Sequence, residues 1–211
     1  ALGRPIARIP FGGMGSARDL RGQSRMHLES EPGLLIRALR QTGVKNPIIL
    51  LDEIDRVTQE ARADIMGVLV ELLDPSQNNR FLDHFVDYPV DLSEVLFVAT
   101  GNNTANLATA VMDRLEPIQM PSYTDAEKIH IAQEYLLPKA IQEAGLDPNS
   151  ISIDPSLWAT IVRPFGYDAG IRTLGRTVTG ITNKVAKLAV TGQLQSVHLT
   201  SANIKDFLPK W

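Results

Sequence analysis

The chain contains no cysteine. That removes disulfides, thiolate zinc sites and cysteine nucleophiles from consideration. Aromatic residues are scarce, at 6% of the total. No apolar run approaches the roughly 20 residues needed to cross a bilayer, so no membrane partner is expected. Strong charge of either sign is also missing: 21 Lys and Arg stand against 24 Asp and Glu, a net charge of -3. The bulk charge gives no reason to invoke a polyanion, and nucleic acid is not indicated, though a local basic patch is compatible with it. The first residues, Ala1-Leu2-Gly3-Arg4-Pro5, look like neither a signal peptide nor a basic transit segment. They read as the tail of a helix closed by Gly3. A further absence bears on chemistry: no G-x-x-x-x-G-K-[ST] phosphate loop occurs in these residues. What is present is ordinary for a folded protein, 211 residues of which 44% are hydrophobic, enough to bury a core. The lack of cysteine suits a reducing compartment, and the expected location is intracellular, the cytoplasm or an organelle matrix.

Residues 6–11 alternate apolar and polar and end at Gly12-Gly13, which predicts a short strand and a turn. Residues 14–31 are polar and rich in Gly, Ser and Arg, a loop with about one turn of helix. Pro32-Gly33 opens an apolar stripe at helical spacing that stops at Gly43. Pro47-Ile48-Ile49-Leu50-Leu51 is a continuous apolar run ending in Asp52-Glu53-Ile54-Asp55. Apolar on both faces, it predicts the buried centre of a parallel sheet. A helix over 59–73, with Ile65, Leu69, Leu72 and Leu73 inward, stops at Asp74-Pro75. Residues 76–93 read as irregular. Val95-Leu96-Phe97-Val98-Ala99 is a second fully apolar strand, ending in Thr100-Gly101-Asn102. A helix over 106–115 and a third strand, Ile118-Gln119-Met120, follow. Strands alternating with helices across connections of this length indicate an α/β fold with a parallel sheet.

The character changes between Met120 and Tyr123, dividing residues 1–121 from 122–211. Thr124-Asp125-Ala126-Glu127 is a capping box that opens a helix through about Leu137. Further helices are expected over 138–144, 155–163 and 170–190. The only strand signal is Val197-His198-Leu199, and Thr200 or Ser201 caps a last short helix toward Phe207. This second part reads as an all-helical subdomain. There are no internal repeats and no low-complexity tracts.

The strongest chemical signal is Ile48-Ile49-Leu50-Leu51-Asp52-Glu53, four apolar residues then two acids, the Walker B pattern. A central strand delivers two carboxylates to the carboxyl edge of the sheet, where open α/β folds bind ligands. Asp52 suits Mg²⁺ held through water, because that ion prefers hard oxygen and keeps several waters. Glu53 suits the polarising of a water for in-line phosphoryl transfer. Read alone, the pair also describes a solvated acidic turn. Asn102, at the end of the next strand, could hydrogen-bond that water or a terminal phosphate, while Gly101-Asn102-Asn103 is equally a plain turn. Arg114 follows a short helix and could reach a neighbouring subunit's phosphate as an arginine finger, or form a surface pair with Asp113. Arg172, in the first turns of a second-part helix after Asp168-Ala169-Gly170, suits a sensor arginine on a lid.

Four strings carry a resemblance: "PIILLDEIDRVTQEARADIMGVLVELLDPSQN" at 47–78, "DLSEVLFVATGN", "SYTDAEKIHIAQEYLLPK" and "DAGIRTLGR". They resemble the AAA+ ATPase module of the Lon ATP-dependent protease family, and the resemblance extends over essentially all 211 residues. The strings "ELLDPSQN" and "YLLPK" are more particular to that family than Walker B is. The resemblance implies an AAA+ parallel-sheet subdomain, partial because the first strand and phosphate loop are missing, followed by an α-helical lid. It implies Asp52 and Glu53 as Walker B, Asn102 as sensor 1, Arg114 as arginine finger and Arg172 as sensor 2. It further implies an adenine pocket lined by Tyr123 and Ile131. The implied cofactors are ATP or ADP with Mg²⁺. The implied partners are other copies in a homo-hexamer and misfolded or degron-bearing protein substrates.

The sequence departs from the family pattern in several places, mildly at Arg114-Leu115-Glu116 and Asp168-Ala169-Gly170 and more strongly elsewhere. The family's phosphate loop would lie just upstream of Ala1, and its protease domain with a Ser-Lys dyad after Trp211. Where the family presents an aromatic and an aliphatic residue to a central pore, this chain has His27 and Leu28. Its second pore loop has Ala61 where an aromatic is usual, and Ala63-Asp64-Ile65 where Gly-Asp-Pro is usual. Two other readings compete: a DNA-loading AAA+ machine, disfavoured by the acidic balance, and a degenerate assembly module that does not hydrolyse ATP by itself. The altered loops favour the latter, and the intact set of Asp52, Glu53, Asn102, Arg114 and Arg172 speaks against it.

Overall fold

Aliphatic runs become strands and turn chemistry separates them. The structure is a computed structural model and describes residues 2–163, 170–193 and 196–208. It divides into two compact units, Ala1–Ile118 and Gln119–Trp211.

In the first unit, β1 (Ile6–Pro10) leads through the short α1 (Arg18–Arg21) to α2 (Leu34–Thr42). That helix ends where Gly43 takes a left-handed conformation, φ 69°, and its N–H bonds the Leu39 carbonyl. The central strand β2 (Ile48–Asp52) precedes α3 (Arg62–Leu73), which buries Ile65, Met66, Val68, Leu69 and Leu72. Asp74 ends α3 in an extended conformation because Pro75 excludes the helical one from the residue before it. The strands β3 (Phe81–Asp83) and β4 (Tyr88–Val90) form an antiparallel hairpin. Then come β5 (Leu96–Ala99) and a one-turn helix, α4 (Thr109–Met112). The sheet is parallel, in the order β1-β2-β5, with Ile49 paired to Ala7 on one side and Phe97 on the other.

Three expectations change in this unit. Residues 76–93 are not wholly irregular, since they hold the β3–β4 hairpin. Ile118-Gln119-Met120 is not a strand: prolines 117 and 121 flank it, it pairs with no strand among the described residues, and Ile118 and Met120 are 83% and 84% exposed. The apolar run of β5 is half-buried on one face only, through Phe97 and Ala99. Helices α2 and α3 pack with Ala7, Ile9, Ile49 and Leu51, whereas Leu96 and Val98 on the other face are exposed.

In the second unit the capping box forms as expected. Thr124 accepts the Glu127 N–H, and Glu127 accepts the Thr124 N–H at 2.8 Å, opening α5 (Asp125–Ile131). The chain continues without a break through a π-helical turn, Ala132–Leu136, into α6 (Leu137–Glu143). Pro138 has no N–H to give the Glu134 carbonyl, and the wider turn accommodates that missing bond. The unit is mainly helical but not entirely so. β6 (Ile151–Ile153) pairs in parallel with β7 (Val197–Leu199), an addition the sequence reading lacked. Between them lie α7 (Trp158–Val162) and the long α8 (Arg172–Val190), and α9 (Ile204–Phe207) follows β7. Leu174, Val178, Ile181 and Val185 recur at helical spacing on α8 and join Trp158, Ile161 and Leu199 in a separate core. Asp168 and Ala169 lie outside the described residues.

Candidate active site

Asp52 is the last residue of the central strand, so its carboxylate emerges at the sheet's carboxyl edge. The edge is tied on both sides: the Phe11 N–H bonds the Asp52 carbonyl at 2.8 Å and the Thr100 N–H bonds the Leu51 carbonyl at 2.9 Å. The Thr100 hydroxyl then does two things. It donates to Asp52 Oδ1 at 2.5 Å and accepts from the Glu53 N–H at 2.9 Å. The other oxygen, Asp52 Oδ2, takes the Arg8 guanidinium, with Nε at 2.9 Å.

Glu53 turns the chain sharply. Its φ of 58° is left-handed, which costs a non-glycine residue about 1–3 kcal/mol and is met mostly where a site dictates it. The Ile54 N–H closes the turn on the Thr100 carbonyl at 3.0 Å. The Glu53 carboxylate lies over Gly12, where a Cβ would stand 2.9 Å from Oε2 and the carboxylate would have to shift to make room. Arg56 Nη1 is 3.4 Å from Glu53 Oε1.

Asp55 is buried, and its Oδ2 accepts the N–H groups of Asn102 and Asn103 at 3.2 and 3.0 Å. That carboxylate fixes the turn carrying Asn102, whose own side chain is exposed and makes no hydrogen bond among the described residues. Asp55 and Thr100 are the two residues the sequence reading missed as organisers. The only signal for Asp55 was its position two beyond Glu53.

Arg114 follows α4 and is held within its own chain. Its Nε and Nη2 donate to Asp74 Oδ2 at 3.1 and 2.7 Å, and Nη1 donates to the Ala110 carbonyl at 2.7 Å. The Ser76 hydroxyl, and then the Arg114 guanidinium, hold the Asp74 carboxyl well below the usual carboxylate range.

The remaining expected residues are distributed as follows. His27 and Leu28 sit at the exposed tip of a loop, with Leu28 fully in water. Ala61, expected on a second pore loop, is 6% exposed and packs in the core of the first unit immediately before α3. Arg172 begins α8 and is exposed, beside a groove lined by Gly175, Arg176, Thr179, Gly180 and Asn183. Tyr123 is exposed before α5 and Ile131 is half-buried at its end, both in the second unit.

No three His, Cys, Asp or Glu side chains converge among the described residues. The donor chemistry at the β2 edge nevertheless fits Mg²⁺, which binds through one or two carboxylates and completes its shell with water and phosphate oxygens. Open parallel α/β sheets bind their ligands at this carboxyl edge, and acids mounted there suit a site of the nucleotide-binding class, a nucleotide with its metal. Comparison with known proteins gives the same class: the profile of the ATPase family associated with various cellular activities (AAA) matches residues 8–123, and the chain belongs to that family. From end to end it is similar to a segment of Lon proteases. It is 42% identical over 210 residues to Lon protease of Acinetobacter baumannii (strain AB307-0294) and 41% over 208 residues to that of Lawsonia intracellularis (strain PHE/MN1-00). To Lon protease of Bacillus thuringiensis (strain Al Hakam) it is 38% identical over 210 residues. These alignments take in 99%, 99% and 100% of this chain but 26%, 25% and 26% of the relatives, so it spans about a quarter of their length. No helix among the described residues is long and apolar enough to cross a membrane.

Proposed function

We propose that the chain is the ATPase module of a Lon-type ATP-dependent protease, in which hydrolysis drives unfolding and translocation of protein substrates into a linked peptidase chamber. The observation that carries this reading is the single Thr100 hydroxyl joining Asp52 and the Glu53 backbone at the edge of a parallel sheet. Asp52 would hold Mg²⁺ through water, and that ion, when bound, neutralises charge on the phosphates. Glu53 polarises the attacking water, and Asn102 orients it. Arg114 serves a neighbouring subunit's nucleotide, Arg172 contacts the nucleotide from the helical part, and Tyr123 with Ile131 flanks the adenine. His27 and Leu28 grip misfolded or degron-bearing polypeptide in a homo-hexamer. Glu53→Gln in the full-length protein tests the centre of this reading. It keeps the size of the side chain and removes its charge, so ATP binding persists while turnover falls by orders of magnitude. ATP hydrolysis near the wild-type rate in that variant removes Glu53 from its role.

A further inference from the structure

The hydrogen bonds of Arg114 can be counted. Of five guanidinium N–H groups, Nε and one on Nη2 go to Asp74 Oδ2, and one on Nη1 goes to the Ala110 carbonyl. Two remain, one on each terminal nitrogen, and they have no partner among the described residues. An unspent N–H on each terminal nitrogen can donate to phosphate oxygens. The carboxylate that holds the other edge is itself immobilised. Asp74 Oδ1 accepts the Ser76 N–H at 2.9 Å and the Ser76 hydroxyl at 2.6 Å, and Oδ2 also accepts Gln77 Nε2 at 3.1 Å. The Gln77 and Asn78 N–H groups close on the Asp74 carbonyl at 3.0 and 2.9 Å. Ser76 and Arg114 keep the carboxylate charged well below neutral pH. The Asp74-Pro75-Ser76-Gln77 turn is thus a rigid anchor at the end of α3, and the arginine is its cargo.

We propose that Asp74 is a positioning residue that orients Arg114 so that its two unspent N–H groups meet a phosphate bound to the neighbouring subunit. This rests on the reading of Arg114 as an arginine acting in trans. Asp74 touches no substrate, and its effect passes entirely through the guanidinium. An unanchored arginine samples many rotamers, and the ordering it must undergo in the transition state then raises the barrier.

The test uses full-length Asp74→Asn, which keeps the side chain's size and one acceptor oxygen. Its kcat for ATP falls by up to about 100-fold, the scale of a misplacement near 1 Å, while KM does not change. Mixing with Glu53→Gln subunits restores hydrolysis, because an Asp74→Asn subunit has an intact site and receives its arginine from a Glu53→Gln neighbour. A subunit damaged in its own fold gains nothing from that neighbour. Unchanged or raised kcat, or no rescue where Arg114→Ala subunits are rescued, overturns the role of Asp74. Arg114→Ala measured alongside separates the two readings. Full activity there removes the trans arginine and the inference with it, whereas an inactive Arg114→Ala beside a fully active Asp74→Asn removes Asp74 alone. Should Asp74→Asn fail to assemble, Ser76→Ala loosens the same carboxylate without removing it. An intermediate loss of kcat supports the proposal, and an unchanged kcat overturns it.

Discussion

At position 100 one oxygen serves two neighbours, donating its proton to Asp52 and accepting the N–H of Glu53. Valine there has the same shape and neither bond. Asp52 would then lose the bond to its Oδ1 while keeping the Arg8 ion pair, and the left-handed turn at Glu53 would lose a fixed partner. Thr100→Val in the full-length protein is expected to lower ATP turnover by about 10–100-fold, the range seen when partners of metal-side ligands are removed, while Thr100→Ser retains most of it. Equal turnover in the two variants would sink the role of the hydroxyl. This division also shows what was legible at this scale. Asp52 and Glu53 stand out in the sequence because two acids interrupt an apolar run. Thr100 and Asp55 do not, because their roles arise only when β2 and β5, 48 residues apart, pair in register. The burial of Ala61 was not legible either, because its place in the core depends on the packing around the start of α3.

Among the elements, the loop carrying His27 and Leu28 is closed at its base by backbone approaching backbone. A Cβ at Gly33 would stand 2.0 Å from the Leu20 carbonyl oxygen and 2.7 Å from the Gly22 nitrogen. Asp83, fully buried, accepts the Gly33 N–H at 2.8 Å and also holds the N–H groups of Phe85 and Val86. The loop and the β3–β4 hairpin are therefore one piece, joined again where Arg25 donates to the Phe85 carbonyl and covers its ring. Gly33→Ala is expected to destabilise the protein by about 1–3 kcal/mol through overpacking. Gly67→Ala, within α3 and with nothing near its Cβ, is expected to stabilise it by about 0.5–1 kcal/mol. Urea unfolding of both decides, and a stable Gly33→Ala would mean that the loop base yields. The long helices and the two apolar strands were legible from periodicity and from their stops at Gly43, Pro75 and the Thr124 box. The hairpin and β6 were not, because strands of three residues carry too little alternation and β6 finds its partner 46 residues away.

For the whole molecule, the proposed coupling of ATP hydrolysis to movement of a polypeptide needs a surface that could touch that polypeptide, and the loop clamped at Gly33 offers one. Met26 and Leu28 are 94% and 106% exposed at its tip, apolar groups in water with His27 between them. Singly exposed apolar residues are ordinary, but a tip of this kind on a clamped base suits contact with an extended chain. Aromatic rings give such a contact wide, rigid apolar area, and an imidazole gives less. His27→Tyr in the full-length protein is therefore expected to raise the amount of a stably folded substrate degraded per ATP hydrolysed. Leu28→Ala is expected to lower it, because the methyl that remains covers little of a passing side chain. Both quantities are measured on the same preparations, so that a general loss of ATP turnover does not pass for a loss of grip. If degradation per ATP is the same in wild type and both variants, residues 27 and 28 form a solvated surface loop and the grip on substrate lies elsewhere.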